Sequence, residues 1–468
     1  MAFINRVDEL AALERWWSTP GARAALVWGR RRVGKTALLQ RFTAGRRAVF
    51  HTGAGRPAAA ELMQLSRQVT ASGPERPAHR QRDLATRPYR DWDDALDDLA
   101  ALAVDEPLLV VLDEFPEIVA TAPELPGVLR AFLDRAGDRG GLRVLLCGSA
   151  VRHMTAFQEQ RAPMYGRFDL SLPLHPFRPH EAALMLPELS PADRARVYGL
   201  VGGVPLYLSW WDQGAAIGDN LARLACRPGA PLLTEGQLVL ATEVESGEYP
   251  SAVLHAIAGG RTQHNEIRTA IGAEPSRTLD RLVELRLVER LVPVTDTARS
   301  RRVVYRIADN FLSFYLKLLT RYRSEIDRGL GQSILPVLLA DLDDQLGLPY
   351  EAAFRDHLRR LATTGGLGPD VVAVGPFWTG AGESEIDAVV LAGRDRRPVL
   401  AGEAKWTRTA DGRRIAAALR EKIRALPGGR PGSDGSGSDG LRLALCARDA
   451  VRDAPEGALI VTAVDIFS

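Results

Sequence analysis

The sequence predicts an α/β protein built on a parallel sheet, continued by a helical segment with a hairpin and by a second, smaller α/β unit. Three observations lead there. A glycine-bearing loop, residues 29–36, lies between an apolar strand and an amphipathic helix. Apolar runs ending in acids or small hydroxyl residues alternate with helical periodicities over the first 175 residues, the pattern of parallel strands joined by crossover helices. Near the C-terminus, strand-like runs carry acids and a lysine at alternating positions.

At 468 residues the chain has room for about three domains. Its 46% apolar and 25% charged residues are those of a globular chain, and a net charge of +2 leaves any nucleic-acid contact to local basic patches. No apolar run approaches the roughly 20 residues that cross a bilayer, and no signal-peptide core follows Met1, so no membrane association is expected. Cys147, Cys226 and Cys446 lie far apart without metal-type spacing, which fits a reducing cytoplasm. The histidines show no H-E-x-x-H pattern.

The element order starts with Ala24 to Trp28, a short buried strand, followed by Gly29-Arg30-Arg31-Arg32-Val33-Gly34-Lys35-Thr36, a complete G-x-x-x-x-G-K-[ST] loop, and by a helix from Ala37. The two glycines let backbone N–H groups wrap a triphosphate. Lys35 reaches the β and γ phosphates, and Thr36 offers a hydroxyl to Mg²⁺ at a helix N-terminus that favours anions. ATP and Mg²⁺ are the expected cofactors. Residues 71–91, apolar-poor and with three prolines, read as a mobile surface segment. The strand Leu108 to Leu112 ends in Asp113 and Glu114. Asp113 suits the Mg²⁺ shell and Glu114 the polarisation of water, although paired acids after a strand also cap helices. A third strand, Leu142 to Gly148, ends at Ser149, placed to sense the γ-phosphate or orient the water. In Met164-Tyr165-Gly166-Arg167, Arg167 is the candidate for a trans-acting arginine finger, with Arg161 as competitor and a surface ion pair as the plain alternative. A finger acts only across a subunit boundary, so ATP-dependent homo-oligomers are expected.

Farther on, Ser251 to Ile257, Thr262 to Ile271 and Pro275 to Leu285 read as helices, and Leu287 to Val294 and Val303 to Ile307 as a hairpin, together a helix-turn-helix with a wing. In a DNA-binding reading Ser276, Arg277, Thr278 and Arg281 face the major groove and Arg299, Arg301 and Arg302 meet phosphates. Asp280 and Glu284 dilute that face, and winged helices also serve as protein contacts. The aromatic-rich helix from Asp309 reads as a connector. Residues 427–440, rich in Gly, Ser and Asp, read as a flexible insertion.

The opening Phe3-Ile4-Asn5-Arg6-Val7-Asp8-Glu9-Leu10 resembles the adenine-side box of AAA+-type ATPases related to origin-recognition proteins. With the phosphate loop, Leu-Asp-Glu-Phe-Pro-Glu-Ile and Met-Tyr-Gly-Arg, the chain is similar to the archaeal-type ATPase family. Gly202-Gly203-Val204-Pro205-Leu206-Tyr207 resembles the motif of that family's helical lid. The resemblance implies an AAA+-type core at 1–175, with Asn5 and Arg6 on the nucleotide, a helical lid at 176–244, a winged helix at 245–310, a connector at 311–345 and a restriction-endonuclease-like domain at 346–468. In the last, a helix from Tyr350, strands Val371 to Trp378, Ser384 to Leu391 and Pro398 to Trp406, a helix at about 411–425 and the strand Leu441 to Cys446 resemble the core of PD-(D/E)xK nucleases. Asp387 and Glu403 would then ligate Mg²⁺ or Mn²⁺, Lys405 would position or help deprotonate water, and Glu351 would assist from the helix. The expectation is an ATP-hydrolysing, DNA-binding protein with a metal-dependent nuclease-like domain. The alternative is a nucleotide-gated regulatory switch whose C-terminal domain binds without cutting. A small-molecule kinase fits poorly, because nothing marks an acceptor pocket.

Overall fold

A computed structural model of the chain describes residues 3–72, 83–136, 141–243, 248–297, 299–380, 384–429 and 441–468. The chain divides into two compact units, Met1–His175 and Pro176–Ser468. Residues 73–82 of the segment 71–91 and residues 430–440 of the segment 427–440 lie outside the described residues. In the described part of the first, Leu84 and Tyr89 are buried in the core. For residues 83–91 that corrects the reading of a surface segment, since these two large side chains anchor them to the core.

In the first unit, β1 (Ala24–Trp28), β2 (Ala48–Thr52), β3 (Leu108–Asp113), β4 (Leu142–Gly148) and β5 (Leu170–Pro173) form one sheet in the order β2-β3-β4-β1-β5, every neighbour parallel. The near-continuous apolar runs of β1 and β3 follow from this topology, since each face of the sheet is covered. Ala25 and Val27, with Leu109 and Val111, pack against Leu38, Leu39 and Phe42 of the helix Lys35–Thr43 and against Leu13 and Trp16 of the helix Val7–Ser18. Leu26, Val110 and Leu112 pack the other way, against Leu62, Leu65, Leu96 and Leu99. Because all five strands run the same way, their C-terminal ends share one edge, where ligands of open α/β sheets bind.

The second unit begins with short helices, Pro179–Ala183 through Pro231–Glu243. Helices Glu248–Ala258, His264–Ile271 and Ser276–Glu284 follow, then an antiparallel hairpin of β6 (Val288–Leu291) and β7 (Val304–Ile307). A π-helical turn, Tyr315–Leu319, leads into the 33-residue helix Gly331–Thr363. Against it lies a sheet of β8 (Val371–Trp378), β9 (Glu385–Ala392), β10 (Arg397–Lys405), β12 (Arg442–Ala447) and β14 (Leu459–Val461), in the order β14-β12-β10-β9-β8. Its β8-β9-β10 portion is antiparallel, while β12 and β14 add in parallel. Two short strands, β11 (Thr409–Asp411) and β13 (Ala450–Arg452), pair beside it.

Sequence patterning started this helix near Tyr350, yet it runs unbroken through Pro336 and Pro349. The cause is a stripe at four-residue spacing, Leu338, Leu342, Leu346, Tyr350, Phe354 and Leu358, all buried. The first three join the core of the helical half and the last three join the core of the sheet. Tertiary burial on both sides outweighs the roughly 3 kcal/mol that a proline costs inside a helix.

Phe354 is fully buried, and its ring reaches β10 so closely that a Cβ on Gly402 would lie 2.8 Å from it. Phe354→Ala should destabilise the second unit by about 3–5 kcal/mol, read as a lower denaturant midpoint with nucleotide binding by the first unit as control. A change below about 1 kcal/mol would contradict this packing.

Candidate functional site

The phosphate loop follows β1 and enters the helix Lys35–Thr43 through Gly34, whose φ is +92°. L residues rarely adopt that conformation. Gly29 is required for a different reason: a Cβ there would lie 2.2 Å from the carbonyl oxygen of Leu174, just past β5. No side chain caps the helix, so its first N–H groups face the loop. Lys35 is only 6% exposed and donates from Nζ to the carbonyls of Gly29 (2.9 Å) and Arg30 (3.0 Å), which hold its charge over the loop. Arg31 is exposed, while Arg30 and Val33 are buried. Arg32 is half-buried with φ +69°.

Although β4 separates β1 from β3, Thr36 Oγ1 donates to Asp113 Oδ2 at 2.9 Å. Asp113 is 1% exposed, and its other oxygen accepts from the backbone N–H of Glu114 at 3.0 Å. A hydroxyl and a buried carboxylate meeting at this edge are hard oxygen donors, a set that suits Mg²⁺. Under them, burial and then the Asp113 charge push the Cys147 thiol well above its usual range. Cys147 thus stays a neutral floor beneath Asp113, a role its sequence position did not signal.

Glu114 sits in the left-handed region (φ 48°, ψ 47°) as N-cap of the helix Phe115–Thr121. For a residue with a Cβ this costs about 1 kcal/mol. The strain is offset by contacts to Ser149, whose Oγ (2.9 Å) and N–H (3.2 Å) both donate to Glu114 Oε2. Ser149 therefore orients the acid that β3 supplies. Asn5 and Arg6 also have positive φ, 58° and 66°. Arg6 is buried and donates from Nη2 to the carbonyls of Val33 (2.8 Å) and His175 (2.7 Å) and from Nη1 to Glu9 (2.8 Å). Its guanidinium braces the loop from behind.

Arg167 lies before β5, at the sheet end opposite the loop, because β5 runs parallel to β1. It pairs with Asp134 through two 3.2 Å contacts. Within one copy of the chain it is a surface ion pair.

In the second unit, Asp387 on β9 and Glu403 on β10 are 7% and 5% exposed. The Ala404 N–H donates to Asp387 Oδ2 at 2.8 Å, tying the two strand ends. Burial, then the Glu403 charge, raises the Asp387 carboxyl to about 6. Burial, then the Asp387 charge, raises Glu351 to about 7. Lys405 lies on the face of Glu403, as period two requires, and donates to its Oε1 at 2.7 Å. Burial opposes the Lys405 charge, but its contacts with Glu403 hold it above the usual lysine range. Sequence reading missed two partners. Lys422, on the helix Gly412–Ile423, donates to both oxygens of Glu403 (2.7 and 2.8 Å), and Arg355 donates to the Asp387 carbonyl (2.9 Å) and stands 4.0 Å from Glu351. Both sit on helices whose other faces are core, so only the fold reveals where they point.

Among the described residues, no three His, Cys, Asp or Glu side chains gather as metal ligands by themselves. Asp387 and Glu403 are a donor pair of the right hardness, with the oxygens of Glu403 shared by two ammonium groups.

On the helices and hairpin before this sheet, Ser276, Arg277, Arg299 and Arg301 are exposed, while Thr278 and Arg281 are half-buried. Arg302 corrects its expected phosphate role. It pairs with Asp296 through both Nε (3.0 Å) and Nη2 and donates to the carbonyl of Trp378 (2.9 Å), fastening the hairpin to β8. An aspartate six residues upstream in the same turn captures it. No helix among the described residues is long and apolar enough to cross a membrane.

Residues 3–210 match the family model of an ATPase domain predominantly from Archaea, and residues 315–415 match a family of archaeal and bacterial proteins of unknown function. An uncharacterised protein of Methanocaldococcus jannaschii is 24% identical over 415 residues, covering 86% of this chain and 87% of its own. Among solved structures, a Walker-type ATPase of Pyrococcus abyssi is similar at 19% identity and a TM-score of 0.52, covering 67% of this chain and 96% of that one. The ORC2 protein of Aeropyrum pernix matches at 17% identity and a TM-score of 0.41, covering 71% and 96%.

Two outcomes follow from the geometry. Ser149→Ala should lower ATP turnover by about 10²-fold, the lower end of what a well-placed general base contributes, while ATP affinity stays within a few-fold; steady-state turnover beside nucleotide titration reads both, and unchanged turnover would contradict the orienting role. Asp387 and Glu351 bind protons more tightly folded than unfolded. They therefore stabilise fully below about pH 4 and lose that contribution as pH rises through about 6 and 7. In chelator, the second unit's melting midpoint should fall between pH 5 and 8, and Asp387→Asn should flatten the fall and raise the midpoint at pH 8, each kcal/mol regained being worth roughly 2–4 °C. A midpoint independent of pH in the wild type would count against the pairing.

Proposed function

Residues 3–210 form an ATPase domain of the predominantly archaeal family, and from that premise we propose that the chain couples ATP hydrolysis to the handling and cutting of DNA. Lys35 and the backbone N–H groups of the loop bind the phosphates, and Thr36 with Asp113 would hold Mg²⁺, which neutralises phosphate charge when bound. Glu114, aimed by Ser149, takes the proton of the attacking water. Arg167 answers to a neighbouring subunit in an ATP-dependent homo-oligomer. To do so it must exchange Asp134 for a phosphate.

The helices Glu248–Ala258 to Ser276–Glu284 with the β6–β7 hairpin support the reading of a winged helix. Arg277 and Arg281 on its third helix, with Arg299 and Arg301 on the wing, supply the charges for a duplex. The observation that carries the cutting role is the meeting of Asp387 and Glu403 on adjacent antiparallel strands, with Lys405 on the same face and Glu351 on the helix beneath. Asp387 and Glu403 would hold the divalent cation, which supplies charge stabilisation to a phosphodiester, and Lys405 positions the water.

One observation favours a second reading, a nucleotide-gated DNA-binding switch that does not cut: two lysines, Lys405 and Lys422, already neutralise Glu403. Supercoiled plasmid with Mg²⁺ and ATP separates the two. Cutting predicts nicked product with wild type, at least 10²-fold less with Asp387→Asn, and ATPase loss without plasmid-binding loss in Lys35→Ala. Equal nicking by wild type and Asp387→Asn, or none by either, removes the cutting role and leaves the switch.

A further inference from the structure

Between the β6–β7 hairpin, the π-helical turn and the edge of the C-terminal sheet lies a cleft of about 420 Å³. That is within the range of pockets that enclose a small ligand. Five cations border it, Arg301, Arg302, Arg306, Lys317 and Arg355, against two carboxylates, Glu289 and Glu385. Arg302 is neutralised by Asp296, and Arg306 meets Glu385 at 3.3 Å. Lys317 is different. It is half-buried, and among the described residues it makes no hydrogen bond or ion pair. Burial and then the Arg306 charge hold its ammonium below the usual lysine range. It projects from a π-helical turn, a distortion of the helical ladder that is frequent at functional sites. A desolvated cation without a counter-charge is costly unless an anion meets it.

The cleft adjoins the acid pair through shared residues. Arg355 borders it while donating to the Asp387 carbonyl, and Glu385, two residues from Asp387 on β9, forms part of its wall. Trp378 borders the same space and is of the residue type on which an unpaired base stacks. We infer that this cleft seats one phosphate-bearing nucleotide of a single nucleic-acid strand, with Lys317, Arg306 and Arg301 on the phosphate, and holds that strand beside Asp387 and Glu403. The inference deepens the proposed cutting role and names its substrate as an unpaired strand or strand end, for which duplex contacts on the winged helix are the grip.

The test uses the full chain in chelator, so that nothing is cut, and the fluorescence anisotropy of a labelled 12-nucleotide single-stranded DNA. Lys317→Met should weaken binding at least 10-fold and Lys317→Arg by less than about 3-fold. In Lys317→Met the slope of log affinity on log salt should fall by about 0.7, the value of one single-strand phosphate contact. ATP turnover, read in parallel with Mg²⁺, should be unchanged, and a second-unit melting midpoint no lower than that of wild type shows that the variants fold. A deoxynucleoside monophosphate should compete with the strand. Affinity of Lys317→Met within 2-fold of wild type would overturn the inference. So would a monophosphate that binds in a Lys317-dependent way while the DNA strand does not, which would make the cleft a free-nucleotide site. Plasmid nicking in Mg²⁺ is scored separately: Lys317-dependent strand binding without nicking removes the cutting role and leaves the strand site standing.

Discussion

The hydrogen bond from Thr36 to Asp113 is the contact on which the first unit's chemistry rests. It joins the helix after β1 to the end of β3 across an intervening strand. Because β1, β4 and β3 run parallel with their C-terminal ends on one edge, these two groups come to 2.9 Å. The small residues ending β4, Cys147 and Gly148, leave room beneath. Gly148 has no space for a side chain, since a Cβ would lie 2.6 Å from the Met154 sulfur. From that bond the rest is ordered outward. Asp113 fixes the Glu114 N–H, the left-handed turn at Glu114 swings its carboxylate to Ser149, and the Lys35 ammonium is held over the loop by carbonyls. Lys35, Thr36, Asp113, Glu114 and Ser149 thus gather on one edge of the sheet, held by backbone carbonyls and N–H groups and by the hydroxyls of Thr36 and Ser149.

The second unit solves a different electrostatic problem. Burial comes first and charge repulsion adds to it, from Glu403 on Asp387 and from Asp387 on Glu351, so both acids hold their protons more tightly than exposed acids do. Lys405 and Lys422 hydrogen-bond Glu403, and their charges only partly offset what raises the Asp387 carboxyl. The structure therefore keeps one acid neutralised by ammonium groups and one that gains from any cation brought beside it. A buried arrangement that costs stability in this way is the kind found at functional sites. The long helix Gly331–Thr363 carries Glu351 and Arg355 into this site while its earlier turns belong to the helical core. That helix contributes side chains to both the helical core and one core of the sheet.

How much of this the sequence disclosed follows from the range of each interaction. The loop from Gly29 to Thr36 and the apolar runs of β1, β3 and β4 are local patterns, and they stand where spacing placed them, as do Asp387, Glu403 and Lys405 on neighbouring strands. What escaped depends on contacts distant in the chain. The strand β5 is only four residues long and pairs with β1 from 145 residues away, too short to show a period. The helix read from Tyr350 in fact starts at Gly331, because the stripe that carries it through Pro336 and Pro349 is satisfied by two separate cores. Lys422 and Arg355 are not singled out by the sequence, because nothing local marks a charge on an amphipathic helix as a partner of a distant strand. Arg302 looked like a phosphate ligand until the turn folded Asp296 against it.

The most direct test of the central claim, that Thr36 and Asp113 meet to form a metal–nucleotide site, is the calorimetric affinity of a non-hydrolysable ATP analogue with Mg²⁺ and with chelator. Wild type should bind at least 10-fold more tightly with Mg²⁺, and Asp113→Asn should show no such gain while binding the metal-free nucleotide as well as wild type does. An equal Mg²⁺ effect in both proteins, or none in wild type, would contradict the account.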